Sequence, residues 1–158
     1  MKYEQALKSF KKKHSCPFCD EKKENILESR KYFYVIPARS PYAPDHILIV
    51  PQRHICLLKS LEHKELMQMH ELVDRRDKKL HKYHKNVCLL LRDGLSKINI
   101  GKSVNHLHFH LIPDHQVYVM NDKDSNNRAF LDDKKYKKVA QKMKNKFLIQ
   151  PPKKTSKT

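Results

Sequence analysis

At 158 residues, 39% of them apolar and scattered in short runs, the chain suits one domain with a modest core and offers no segment able to span a bilayer. A formal charge of +17 favours phosphate-bearing partners, nucleic acid among them, yet ten lysines and no acid lie from Lys134 onward, and such runs are commonly solvated faces. The start of the chain holds no apolar leader stretch, so a cytoplasmic setting is expected, in which four cysteines suggest metal or free thiols before disulfides.

Tyr3, Leu7 and Phe10 recur at helical spacing and predict a short helix over 3–12. Cys16-Pro17-Phe18-Cys19 follows, then a short strand over 26–29 and an aromatic, β-branched strand over 32–36 ended by Pro37. A proline-punctuated connection over 38–45 leads to an almost wholly apolar strand over 46–50, covered on both faces and closed by Pro51. Ser60 is placed to cap a long helix with Glu62 and Glu65 in its first turns. Leu66, Met69, Val73, Leu80 and Tyr83 give that helix an apolar stripe reaching about His84.

A strand over 86–91 comes next, then a loop over 92–102 holding the only glycines, Gly94 and Gly101. Residues 104–113 read as a further strand, 121–127 as a polar connection, and 134–147 as a helix with Tyr136, Val139, Ala140, Met143 and Phe147 on one face. The pattern is α+β: a five-stranded antiparallel sheet with one long helix between the third and fourth strands and a C-terminal helix. One domain over 1–149 is expected, with 150–158 a disordered basic tail.

The chemistry centres on His106-Leu107-His108-Phe109-His110-Leu111-Ile112-Pro113. Side chains alternate between faces in a strand, so the three imidazoles share one side while Leu107, Phe109 and Leu111 enter the core. A half-buried strand whose polar face happens to be histidine is the bland alternative, and three consecutive imidazoles speak against it. Imidazole titrates near neutrality, binds zinc as the neutral base, and attacks phosphorus or acyl centres.

Cys16-x-x-Cys19 has a spacing that lets two thiolates grip a tetrahedral zinc. It also resembles a redox motif, but the strongly polar residues on both sides argue against that reading. Cys56 and Cys88 stand alone and read as small buried hydrophobes. Two histidines must complete a zinc shell: His54 is the leading candidate, and its partner should come from the histidine row. Gly101-Lys102-Ser103 is not a P-loop, because the position five residues earlier is Ser96 and a strand follows. Lys102 and Ser103 remain candidates for holding phosphate oxygens beside His108. His63, His70, His81 and His84 read as solvated, and His14 and His115 carry no motif. His46 opens a strand and can face the row.

Two blocks, Pro44-Asp45-His46-Ile47-Leu48-Ile49-Val50-Pro51-x-x-His54 and Gly101-x-Ser103-Val104-x-His106-x-His108-x-His110-x-x-Pro113, are similar to the histidine triad family of nucleotidyl hydrolases and transferases. With Cys16-x-x-Cys19 the chain resembles its zinc-bearing branch over about 16–115. The resemblance implies that His108 attacks an α-phosphorus to form a nucleotidyl-histidine, with His110 and His46 positioning phosphate and leaving group. Ser103 would contact phosphate, with Lys102 and Arg92 near it. Cys16, Cys19, His54 and His106 would hold a structural zinc, with no catalytic metal required. A nucleotide substrate and a homodimer joined through this region are implied as partners. Lys102 stands where the family usually has Gln, Ala38 where relatives hold the ribose hydroxyls, and Asp45 where glycine is frequent. Two rival readings are a hydrolase with His106, His108 and His110 as ligands of a catalytic metal, and a nucleic-acid-binding module or an enzyme acting on adenylated nucleic-acid ends.

Overall fold

The computed structural model describes Gln5, Lys8 and residues 16–95, 102–115 and 128–148. The N-terminal helix is represented only by Gln5 and Lys8, both helical; Gly101, the polar connection over 121–127 and the basic tail lie outside the described residues. Five strands form one sheet: β1 (Glu28–Ser29), β2 (Phe33–Pro37), β3 (Ile47–Pro51), β4 (Val87–Leu91) and β5 (Phe109–Pro113). Their order is β1-β2-β3-β5-β4, and every pair is antiparallel. Helix α1 (His63–Leu80) links β3 to the outer strand β4, and α2 (Asp133–Leu148) follows the sheet. The architecture is the α+β sheet and helices expected from the sequence.

The chain enters each element for readable reasons. β3 is buried along its whole length, as a nearly unbroken apolar run between two neighbouring strands requires. On one side of the sheet Phe33, Val35, Ile47, Ile49, Phe109 and Leu111 form a core with Leu72 and Leu80 of α1 and Met143 of α2. On the other side Tyr34, Ile36, Ala38, Leu48 and Val50 gather with Phe18 and Ile26. His110 pairs with Leu48 across the β3–β5 ladder, so its imidazole shares this second side.

Three expectations need correction. The final strand starts at Phe109, five residues later than the sequence suggested. Upstream of it the backbone finds another partner: Leu107 donates its N–H to the Ile55 carbonyl at 2.6 Å, because the neighbouring strand has already ended at Pro51. The side-chain alternation survives, with Leu107 in the core. Ser60 does not cap α1; it closes a short 3-10 turn over Leu58–Ser60, and Glu62 is the N-cap. Glu62 and Glu65 form a reciprocal capping box, which satisfies two of the orphan N–H groups at the helix start. The stripe on α1 is also rotated: Leu72 and Leu80 are buried, whereas Leu66 and Tyr83 are exposed. Finer than these, Cys56 and Cys88 are half-buried rather than sealed in the core.

Asp45 and Asp114 have φ of 61° and 46°. Asp tolerates this left-handed region better than most residues, so Asp45 fits a turn where the resemblance leads one to expect glycine. His84 fastens both loops: its ring nitrogens lie 2.8 Å from Asp45 Oδ2 and 3.0 Å from Asp114 Oδ2. Lys146 of α2 also bonds Asp45. His84 is therefore no solvated surface histidine, and it corrects that expectation, because carboxylates from two separate loops converge on it.

Candidate functional site

His106, His108 and His110 are all buried, and with His46 and His54 they form two runs of imidazoles, His54–His106 and His108–His110–His46. Ring centroids are 4.9 Å apart from His54 to His106, 4.8 Å from His108 to His110 and 5.2 Å from His110 to His46. Phe18 presents its ring edge-on to both His106 and His108, at 5.7 Å and 5.0 Å, and fills the bend between them. Its position is fixed in turn by Tyr34, whose hydroxyl donates to the Phe18 carbonyl.

Fixed backbone partners assign the tautomers. His106 Nε2 lies 3.0 Å from the Pro51 carbonyl, which can only accept, so the proton sits on Nε2 and Nδ1 carries a lone pair. His108 is the reverse: Nδ1 donates to the His106 carbonyl at 2.7 Å, leaving the lone pair on Nε2. At the other end the Tyr42 N–H donates to His46 Nδ1 at 3.2 Å. His46 therefore carries its proton on Nε2 and donates to His110 Nδ1 at 3.0 Å, which leaves the His110 proton on Nε2. Three adjacent histidines thus expose three different functions: a ligand nitrogen, a bare nucleophilic nitrogen and an N–H donor.

Burial keeps these rings neutral. Desolvation lowers His108 to about 4 and His46 to about 3, and it holds His110 well below the ordinary histidine value. Positive neighbours add to the effect: Lys102 and Arg92 act on His108, Arg92 and Arg128 on His110, and Arg128 on His46. A neutral imidazole in a cationic frame can attack an anionic phosphorus without first losing a proton.

Cys16, Cys19, His54 and His106 bring one ligand atom each to within 4.8 Å of one another. Sγ of Cys16 lies 3.4 Å from His106 Nδ1, and Sγ of Cys19 lies 3.3 Å from His54 Nδ1 and 3.6 Å from His106 Nδ1. Tetrahedral zinc with ~2.3 Å sulfur and ~2.0 Å nitrogen bonds requires sulfur–nitrogen edges of roughly 3.5 Å. Desolvation and the neighbouring Cys16 push the Cys19 thiol up to about 11, so two thiolates need a cation to coexist here. The four residues can therefore hold a metal ion, and the S2N2 donor set suits zinc. His54 is brought there by Arg53, whose guanidinium grips Glu65 at the start of α1 through two 2.7 Å bonds. This pairing drops Glu65 to about 2. Among the described residues this is the one metal-capable cluster, and it takes only His106 from the triplet, which disfavours a catalytic metal on all three.

The remaining sequence candidates separate. Lys102 is buried, and its ammonium donates to the carbonyls of Cys56 at 2.6 Å and Gly94 at 2.9 Å, tying two loops together. Ser103 is half-buried beside it. Arg92 reaches the Tyr42 hydroxyl at 3.4 Å. Ala38 is buried at the head of the connection into His46, with its N–H on the His46 carbonyl. Phe18, Tyr42 and Arg128 were missed as site residues. Phe18 was visible as the apolar residue inside the cysteine pair, whereas nothing in the local pattern marks Arg128.

The fold is one known among solved structures. The chain superposes on the Plasmodium falciparum diadenosine triphosphate hydrolase, solved in complex with cyclomarin A, with a TM-score of 0.57 at 17% identity over 80% of this chain and 81% of that one. A Zn-bound histidine triad family protein from Mycobacterium smegmatis gives 0.60 at 18% identity, over 85% and 94%. A hypothetical histidine triad nucleotide-binding protein from Sulfolobus tokodaii gives 0.59 at 14% identity, over 90% and 91%. Likeness at these identities is one of fold. No curated relative matches the sequence. The HIT domain model matches residues 20–117, and the chain belongs to the HIT domain family. No described helix is long and apolar enough to cross a membrane.

Proposed function

We propose that this protein is a nucleotidyl hydrolase or transferase that removes a nucleoside monophosphate from a dinucleoside polyphosphate, a phosphoramidate or a similar substrate. The observation that carries the proposal is the opposed tautomers of His108 and His110: a lone pair on one Nε2 beside a proton on the next. The His108 Nε2 lone pair forms the bond to the α-phosphorus, and the bond to the leaving group breaks. The departing atom takes that electron pair and accepts a hydrogen bond from the His110 Nε2–H, which the His46 hydrogen bond on the opposite nitrogen holds in that tautomer. Water or another acceptor then attacks the nucleotidyl-histidine and restores the neutral row. Arg92 and Ser103 stand as phosphate-contacting candidates, and Lys102 contributes its charge from behind the loop.

Zinc in this reading is structural: four protein donors fill a tetrahedral shell and leave no position for substrate. A homodimer is proposed through the β4 edge, where Leu89 is 56% exposed on a strand paired only on one side. A second reading, action on adenylated nucleic-acid ends, is favoured by exposed Lys134, Lys138 and Lys142, spaced four residues apart along α2. Incubating the protein with a panel of nucleotide substrates and trapping the His108 adduct by mass spectrometry tests the main reading. An adduct on His108 is expected; turnover with label elsewhere, or none, sinks it.

A further inference from the structure

The proposed reaction explains the histidines and draws on Arg92 but gives no part to a second guanidinium beside them, that of Arg128. Arg128 arrives from the segment before α2, far from the histidine motifs in sequence. Two contacts hold its guanidinium: Nη1 donates to the Ser40 carbonyl at 2.7 Å, and Cζ sits 3.6 Å from the centre of the Tyr42 ring; three residues on, Leu131 donates its N–H to the Arg39 carbonyl at 2.9 Å. Tyr42 also receives Arg92 at its hydroxyl, 3.4 Å away. The same tyrosine ring lies 5.7 Å from His46, and its N–H fixes the His46 tautomer. Two guanidiniums are thereby mounted on one aromatic ring that borders the His46–His110 end of the row.

Position and charge together limit what this can serve. The guanidinium charges remain large enough at the histidines to help hold His46 and His110 neutral. Both Arg side chains are half-buried against protein, which makes their charge count for more than on an open surface. A planar guanidinium matches the paired oxygens of a phosphate, and stacking on Tyr42 holds its plane in place.

We propose that Arg128, seated on Tyr42 opposite Arg92, is a specificity-determining residue that grips the phosphates beyond the one attacked and selects substrates with a polyphosphate leaving group over those with an uncharged one. The inference rests on the nucleotidyl-transfer reading above and narrows it to polyanionic substrates. Arg128 forms no bond to the reacting phosphorus. Its contribution is the charge placed next to the row.

Two measurements on the full chain separate this inference from the reading beneath it. The first needs no turnover: calorimetric binding of inorganic tripolyphosphate and of orthophosphate to the His108→Ala protein, with and without Arg128→Gln. Tripolyphosphate affinity is expected to fall about ten- to hundredfold on losing a charged hydrogen-bonding partner, with orthophosphate affected far less. An equal loss for both ligands, or none, overturns the proposal. The second is the ratio of kcat/KM for diadenosine triphosphate to that for adenosine phosphoramidate, expected to drop by about tenfold or more in Arg128→Gln. An unchanged ratio overturns it. Turnover that survives His108→Ala would instead defeat the catalytic reading while leaving the binding result to stand or fall by itself. If Arg128→Gln melts below the assay temperature, Arg128→Lys keeps the charge without the planar fork. Its expected result is a smaller, still tripolyphosphate-selective loss, and parallel loss of both anions again overturns the proposal.

Discussion

The two ends of the histidine row are built from the same side chain and do opposite things. At the His106 end the imidazole meets thiols, the neighbours Cys19 and His54 are exposed, and the free nitrogen faces a potential metal. At the His110 end the imidazole lies between two others, His108 and His46, all three are buried, and the chain of donors runs back to a backbone N–H. The middle ring, His108, is tied to the first end through its bond to the His106 carbonyl. Residue type therefore says little about role here. A single carbonyl or N–H on the far side of each ring decides which nitrogen is offered to the site.

The largest expected effect falls between the two ends. His108→Ala should lower kcat by about a thousandfold or more, as loss of a covalent nucleophile does. Metal content and melting temperature should stay near wild type, and a parallel loss of zinc would merge the two regions into one. Next is the metal end. Cys16→Ser should reduce bound zinc, read by atomic emission, well below one per chain and lower stability by about 2–4 kcal/mol in denaturant unfolding, within the range of removing a structural ligand. Normal zinc stoichiometry in that variant would dissolve the proposed shell.

Acid sharpens the contrast from the buried end. Burial holds His46 at about 3 in the folded protein, whereas in the unfolded chain a histidine titrates near ~6.5. Between these values the unfolded chain binds a proton that the folded one refuses, so stability falls as pH drops below about 6.5. The slope approaches ~1.4 kcal/mol per pH unit for each such ring. Urea midpoints measured from pH 7 to pH 4 should decline steadily, and His46→Gln should flatten that decline. The smallest effect belongs to Phe18, the seam between the ends. Phe18→Leu should cost about 1 kcal/mol of stability, the scale of an aromatic pairing, with a few-fold drop in kcat/KM through a looser His108.

Much of this arrangement could be read from the chain itself. Alternation placed Leu107, Phe109 and Leu111 in the core, and the spacing of the cysteines anticipated their meeting with a histidine from each of two other segments. What escaped depended on partners distant in sequence. Ser60 looks as good an N-cap as Glu62 until Arg53 and Glu65 are brought together. Lys102 reads as a phosphate ligand until the carbonyls of Cys56 and Gly94 claim its ammonium. His84 reads as solvated until Asp45 and Asp114 close on it from separate loops. Arg128 has no local signature because its meaning lies in Tyr42, 86 positions earlier. Periodicity reports which way a side chain points, and it is silent on what tertiary neighbour waits there.

The clasp around His84 carries a mechanical implication. Asp45 immediately precedes His46, and it is moored both to the turn after α1 and to Lys146 near the end of α2. The last helix is thus a brace on the His46 end of the row, although it supplies none of its atoms. Shortening the chain ahead of Lys146 would loosen the Asp45 turn and, through it, the hold on His46, with all five imidazoles still present.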